Sequence, residues 1–531
     1  MAHKTKLKLT EMKNGQNLSL ISIIFATLFI GCSHGSQSVP AVPVNLQSGD
    51  VGSRSVVLWA RCNDQQDGRI YFDLSTTPLF DDKTPGKVGP RISEDSDYTG
   101  SLLIEGLKPD QTYFYRGRCD RNPGYSSEVQ VTRPVGTFST AADKHHQESV
   151  KFVWVADIAG QGWGRSPGLS IEDLDHSTIE GGYVIFDVIR QFQPDFALLL
   201  GDVIYADVPI PESKAIPGDV GVGIWTNHPI KNFVAVSLDQ YRANWKYNLG
   251  DQKLQGFLLS TPVYIQWDDH EVTDNWYPGE ILPEGGPYNG MSVDILAERA
   301  RKALFEYSPI QGKTIYRSFR HGKHLELFLL DARSFRGPNT DNYNPDGIVM
   351  LGRKQMQWIK RELKKSDATW KVISTDVPLS IVVGGPTDRD AWSQGADAVL
   401  GREVQLAELL KFIQDEKIRN VLFITADVHY DAAISYEPNR ARGMDIEFEP
   451  FWEFVVGPAN AGAFGSGDLD RSFGPQYEFI RAPSTEGIGQ NSPPPYLQSF
   501  GMIEISREGA LTARLNDITG KLLYEKVFIP E

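Results

Sequence analysis

The stretch Phe196-Ala197-Leu198-Leu199-Leu200, followed by Gly201-Asp202-Val203-Ile204-Tyr205-Ala206-Asp207, decides how this chain is read. Five consecutive apolar residues, closed by a glycine, describe a short strand buried on both faces. The turn after it brings a carboxylate and a phenol to the strand's carboxyl end. The same arrangement recurs along the chain. Lys151–Val155 runs into Ala156-Asp157, and Val263–Trp267 runs into Asp268-Asp269-His270-Glu271-Val272-Thr273-Asp274-Asn275-Trp276. Leu325–Leu330 runs into Asp331-Ala332-Arg333, and Lys371–Ser374 into Thr375-Asp376-Val377-Pro378. Val421–Ile424 runs into Thr425-Ala426-Asp427-Val428-His429. Amphipathic patterns predict helices at Tyr183–Gln191, Ile295–Glu306, Arg353–Lys364 and Glu403–Gln414. Strands alternating with helices predict an α/β sheet covered by helices. A closing hairpin is expected from Leu511–Leu515 and Lys521–Phe528, turning at Asn516–Gly520.

Ligand sites in α/β sheets lie beyond the carboxyl ends of the strands. One acid there is ordinarily a cap or a turn residue. Six strands that all end in acids are not explained that way. Carboxylates gathered in an interior repel one another and pay desolvation, and a pair of metal ions is the simplest counter-charge. No convincing Gly-x-Ser-x-Gly or phosphate-binding Walker loop is present, so neither a serine nucleophile nor a P-loop is indicated.

Upstream, residues 44–140 read as all-β, with runs at Ser55–Ala60, Arg69–Leu74, Gly100–Ile104, Thr112–Gly117 and Gly136–Thr140. Gly106 to Tyr113 looks like the tyrosine corner of a fibronectin-III or immunoglobulin-like sandwich. Cys62 ends the run Ser55–Cys62 and Cys119 the run Thr112–Cys119; a disulfide and two separate buried thiols both fit. Residues 141–149, including His145 and His146, read as a polar linker. Three stretches rich in Gly, Pro, Trp and Tyr (206–240, 276–290 and 439–499) read as long loops that wall the site.

The N-terminus reads as an address. Lys4, Lys6, Lys8 and Lys13 precede an apolar run from Leu18 to Ile30, shorter than the ~20 residues of a spanning helix. Leu28-Phe29-Ile30-Gly31-Cys32 resembles a bacterial lipobox. The expected order is a lipoprotein signal peptide at 1–31, a tether at 32–43, a β-sandwich at 44–140 and a catalytic domain at 150–531. The mature chain is expected outside the cytoplasm, lipid-anchored to the cell envelope through Cys32 on the outer-membrane or periplasmic side. Cleavage there removes a segment of net +3 and takes the chain from −15 to −18. The full chain has 531 residues, 40% of them hydrophobic and 23% charged, which excludes a mostly disordered chain and a multi-spanning membrane protein. Its acidity argues against a nucleic-acid binding surface, but not against a phosphorylated substrate whose charge a metal offsets.

In combination, Gly-Asp-x-Ile-Tyr, Trp-Asp-Asp-His-Glu with its following Asn-Trp, Asp-x-Arg and Asp-x-His resemble the PhoD-type metallophosphatases, the alkaline phosphatase D family. The resemblance covers nearly the whole mature chain. It implies a metallophosphatase α/β/β/α sandwich preceded by a small all-β, fibronectin-III/Ig-like sandwich domain. It also implies a secreted metal-dependent phosphoric ester hydrolase, an alkaline phosphatase (phosphomonoesterase) using metal-activated water. A phosphodiesterase or a metal-dependent phospholipase D is the alternative within the family, with a small phosphate ester or a phospholipid as substrate. Carried over residue by residue, Asp202 would bridge two metals. Asp157, Tyr205 and His429 would complete an Fe³⁺ site, while Asp269 and Asp427 would hold Ca²⁺ or another oxygen-preferring divalent ion. Asp376 stands where related enzymes often have His and would be a further ligand. His270 would be a general acid or orient phosphate. Asn275 and Arg333 would contact phosphate, although Arg333 could equally pair with Asp331. Two departures stand out: many relatives have Cys where Asp157 stands, and the superfamily's opening Asp-x-His here has Ala159. A reading of another class is a surface-anchored binding protein built on a dead hydrolase, which metal content would separate from an enzyme.

Overall fold

The computed structural model describes residues 44–63, 65–80, 86–120, 134–165, 170–172, 178–215, 224–344, 349–442, 447–483 and 497–531. The signal segment, the tether and Cys32 lie outside the described residues. None of the described helices is long and apolar enough to cross a membrane.

Two large sheets form the interior. The first runs in the order Leu522–Phe528, Leu511–Asp517, Ser499–Ile505, Val150–Val155, Phe196–Leu200, Val263–Gln266, Val44–Gly49, Ser55–Cys62, Thr99–Glu105. The second runs Arg317–His321, Leu325–Leu329, Trp370–Ser374, Val421–Thr425, Phe451–Val455, Asp431–Tyr436, Pro475–Arg481. Side-chain alternation explains the layering. Phe152, Trp154, Phe196, Leu198 and Leu200 pack in one core with Leu327, Leu329, Val372, Leu422 and Ile424 of the other sheet. Their neighbours Val153, Val155, Ala197 and Leu199 turn outward into a core with helices Val184–Gln191, Leu238–Leu249, Gln252–Ser260 and Val293–Tyr307. On the far side Phe328, Ile373 and Phe423 pack under helices Gly352–Lys365 and Glu403–Asp415. The layers are therefore α/β/β/α, with strands apolar on both faces as the uninterrupted runs require.

The N-terminal strands do not form a detached bead. Gly49 pairs in parallel with Val263, so three N-terminal strands extend the first sheet. The Asp50 carboxylate accepts from Arg317 Nε (3.0 Å) and Nη2 (2.9 Å) across that junction. A four-stranded sheet, Lys87–Ile92, Gly68–Ser75, Thr112–Asp120, Gly136–Ser139, completes the all-β unit. A disulfide joins Cys62 of one sheet to Cys119 of the other. Across a sequence separation of 57 residues such a cross-link restricts the unfolded chain by about 4 kcal/mol. Tyr113 Oη accepts from the Lys108 backbone N–H at 2.9 Å, the hydrogen bond of a tyrosine corner.

Two expectations need correction. The stretch 439–499 is not all loop: it contributes strands Phe451–Val455 and Pro475–Arg481 to the second sheet. Helices Leu238–Leu249 and Gln252–Ser260 lie outside the four that periodicity predicts. The first buries Arg242, Asn244 and Asn248 along with its apolar side chains, which blurs the apolar stripe that announces a helix.

Candidate metal centre

Each candidate ligand sits where a parallel strand of one sheet or the other ends. The turns are tight, and several residues bearing a β-carbon adopt left-handed backbone: Asp157 (φ 57°), Asp202 (48°), Asn275 (54°), Asp427 (71°) and His429 (59°). Each such conformation costs on the order of 1–3 kcal/mol, a concentration of strain characteristic of functional sites. Gly201 (φ +94°) precedes Asp202, and a β-carbon there would lie 2.6 Å from Cβ of Asp268. A β-carbon on Gly160 would lie 2.5 Å from the Tyr205 ring. These two positions allow the strand ends to crowd together.

Three groups of potential metal ligands result: Asp157, Asp202 and His429; Asp202, Asp269 and His270; and Asp268, Asp269 and Asp427. Within each, the ligand atoms lie within 4.8 Å of one another. Asp202 and Asp269 each belong to two groups and link them. Tyr205 Oη lies 3.3 Å from Asp157 Oδ1 and 3.0 Å from His429 Nε2. His429 Nδ1 lies 2.6 Å from the Gly462 carbonyl, so Nδ1 carries the proton and Nε2 presents its lone pair. Gln161 Oε1 accepts from the Gly462 N–H (2.6 Å) and fixes that carbonyl's loop.

Among the candidate ligands, four buried carboxylate oxygens have no hydrogen-bond partner among the described residues: Asp157 Oδ2, Asp269 Oδ1, Asp376 Oδ2 and Asp427 Oδ2. A buried polar atom left unpaired costs roughly 1–3 kcal/mol, more if charged. Burial, then the Asp269 charge, pushes the Asp202 carboxyl well above its usual range; burial, then Asp268, does the same to Asp427. Burial and the neighbouring carboxylates likewise push the Tyr205 phenol up. A cation reverses all of these, and carboxylate, phenolate and imidazole donors without thiolate suit hard ions. The residues fit a metal centre.

His270 Nδ1 lies 2.7 Å from Asp207 Oδ1, its ring stacks on Tyr205 at 4.2 Å, and Nε2 is 4.0 Å from Asp269 Oδ2. Asn275 donates its backbone N–H to Asp269 Oδ2 at 2.6 Å. Asp376 is fully buried but outside the three ligand groups, with Arg333 Nε 3.9 Å from its Oδ2. Arg333 departs from the expected phosphate contact. It is wholly buried, donating from Nε to Asp268 Oδ1 (2.5 Å) and from Nη1 to Asp390 Oδ1 (3.0 Å), with Asp269 and Asp427 at 3.6 and 3.8 Å. A guanidinium so enclosed by carboxylates is an interior counter-ion. Asp331, its suggested structural partner, instead accepts from Trp267 Nε1 (3.0 Å) and from the backbone N–H groups of Arg333 and Ser334.

Four residues near the centre are absent from the candidates that the sequence offers. Asp207, Asp268 and Glu271 lie within the decisive motifs, so their spacing carries a signal, and Asp268 belongs to one of the ligand groups. Glu271 accepts backbone N–H bonds from Asp202 (3.0 Å), Val203 (2.7 Å) and Asp268 (2.8 Å), and so shapes both ligand turns. Asp390 lies in an irregular loop with no motif and gives none.

The sequence profile described as PhoD-like phosphatase matches residues 152–515, and that of the PhoD-like phosphatase N-terminal domain matches residues 32–142. The chain is 24% identical to alkaline phosphatase D of Bacillus subtilis (strain 168) over 475 residues, 79% of this chain and 72% of that protein. A solved structure of PhoD superposes with a TM-score of 0.67 at 20% identity, covering 93% of this chain and 89% of that one. A purple acid phosphatase from yellow lupin (Lupinus luteus) seeds superposes with a TM-score of 0.55 at 11% identity, covering 91% and 73%. The two structures share the fold.

Proposed function

Because this chain belongs to the PhoD-like phosphatases and is a metal-dependent phosphatase, we propose that it is an exported phosphomonoesterase, lipid-anchored at Cys32 to the cell envelope. The observation that carries a two-ion reading is that the unpartnered carboxylate oxygens of Asp157, Asp269 and Asp427 are spread over linked ligand groups. Asp157, Tyr205 and His429 would hold Fe³⁺, and Asp269 and Asp427 would hold Ca²⁺, with Asp202 common to both. Phenolate favours the harder, more highly charged ion. Bound ions of this kind neutralise phosphoryl oxygens and acidify water for attack on phosphorus. The chain's own residues do the rest. Asp207 engages His270 Nδ1 and leaves Nε2 to give a proton to the leaving alcohol. Asn275 orients Asp269 through its backbone N–H. Phe464 stacks on His429 at 4.7 Å and shields that ligand from water on one side.

The ester preference is tested by comparing a chromogenic phosphomonoester with the matching bis-ester. Faster monoester turnover is expected; faster bis-ester turnover would make the protein a phosphodiesterase. In the same preparation, Tyr205→Phe is expected to remove a visible tyrosinate-to-iron absorption band and most of the activity. Survival of both would overturn the iron assignment. Cys32→Ser is expected to move the protein from the membrane fraction to the soluble fraction; no change would refute the anchor.

A further inference from the structure

Asp390 belongs to no strand end and no motif, yet it is fully buried at the centre's edge. With its amide turned to donate, the Asn275 side-chain nitrogen lies 3.2 Å from both Asp390 oxygens. Asn339 Nδ2 donates to the Asn275 carbonyl (2.6 Å) and to Asp390 Oδ1 (3.1 Å), so both ends of Asn275 are held by one pair of residues. The grip holds Asn275 in left-handed backbone (φ 54°), a conformation that asparagine tolerates better than most residues. In this conformation its N–H donates to Asp269 Oδ2 at 2.6 Å, while Asp269 Oδ1 has no hydrogen-bond partner among the described residues. One carboxylate oxygen is thus committed by a hydrogen bond, while the other, 3.6 Å from Arg333 Nη2, accepts none and remains available as a ligand atom. Although burial works against it, the arginines beside Asp390 hold its carboxyl below the usual range, so it stays an anion that can grip the amide.

We propose that Asp390 is a positioning residue: by fixing Asn275 it orients Asp269, and so sets the affinity of the ion held by Asp269 and Asp427 rather than that of the ion held by Asp157 and His429. The proposal rests on the two-ion reading above. It assigns a role in one half of the centre to a loop residue that touches neither ion.

The test is calorimetric titration of metal-stripped protein with Ca²⁺ and, separately, Mn²⁺, comparing wild type with Asp390→Asn and Asn275→Gly. The glycine variant keeps the left-handed backbone at no steric cost and removes the amide that Asp390 grips. Both variants should weaken one of two binding events by roughly 10–100-fold, the scale for losing a residue that orients a ligand, and leave the other unchanged. Combining them should cost no more than the larger single effect. The proposal is overturned if Asn275→Gly binds both ions like wild type, or if either variant weakens both events equally. Should Asp390→Asn not fold, Asn275→Gly alone decides. Wild type binding no ions would instead refute the two-ion reading and leave the Asp390 contacts to structure alone.

Discussion

Replacing Asp202 with Asn is expected to lower kcat/KM by roughly a thousandfold or more, about 4 kcal/mol of transition-state stabilisation. Asp202, like Asp269, belongs to two of the ligand groups, and it is the one that joins the Asp157 and His429 group to the rest. The amide keeps the acceptor for the His270 N–H, which now donates to Oδ1 at 3.1 Å, so the turn should survive. What it loses is the charge and the second ligand oxygen. In metal-free protein the sign reverses. There the carboxylate is disfavoured by burial and by Asp269, so metal-stripped Asp202→Asn should unfold at a higher urea concentration than metal-stripped wild type, by an amount in the ordinary single-substitution range of about 0.5–3 kcal/mol. Activity falling while metal-free stability rises separates a ligand from a residue that merely supports the fold. A parallel fall in both would point to the second.

Removing the metal ions should make the protein's stability depend steeply on pH. Burial raises the Asp268 carboxyl to about 6 and the Glu271 carboxyl to about 8, and it holds Asp202, Asp376 and Asp427 well above their ordinary values. A folded-state pKa above the unfolded one means the native state binds the extra protons. The associated stability is complete below about pH 4 and lost as pH rises past each folded value. His270 acts in the same direction: burial opposes its charge, but Asp207, Asp269 and Asp202 outweigh burial and raise it. The opposing groups, Asp207 and Asp390, are held low and act only below about pH 4. Each tenfold change in a group's proton affinity between the unfolded and native states is worth about 1.4 kcal/mol, so between pH 5 and 8 the stripped protein should lose on the order of several kcal/mol. Ions bound among these carboxylates should abolish the slope. Urea midpoints measured across this range, with and without metal, check it; a flat profile for the stripped protein would mean that these acids are not the buried, mutually repelling set described.

Much of this centre is legible because strand ends are written locally. An apolar run of five, a glycine and an acid identify a buried strand and its carboxyl end, and the metal groups lie at such ends. The tyrosine corner is legible for the same reason. What escapes depends on contacts between distant segments. Arg333 follows an Asp in Asp-x-Arg, and nothing local distinguishes an arginine facing phosphate from one enclosed by Asp268 and Asp390, 65 and 57 residues away. Asp390 is invisible until Asn339 and Asn275 are brought beside it. The strand Phe451–Val455 alternates poorly: it is buried except at Trp452, and proline, aromatic and acidic residues surround it, so its sequence reads as loop. The pairing of Gly49 with Val263 is equally unreadable, because a sheet's continuation into another unit leaves no pattern in either segment.

The central claim is that the strand-end carboxylates, Tyr205 and His429 hold two ions that phosphate-ester hydrolysis requires. Elemental analysis of the purified protein, paired with turnover of a chromogenic phosphomonoester before and after chelation, tests it most directly. The account predicts two equivalents of metal, iron and calcium, with turnover lost on stripping and restored by adding both. Protein that purifies without stoichiometric metal, and stays inactive when iron and calcium are supplied, would contradict it.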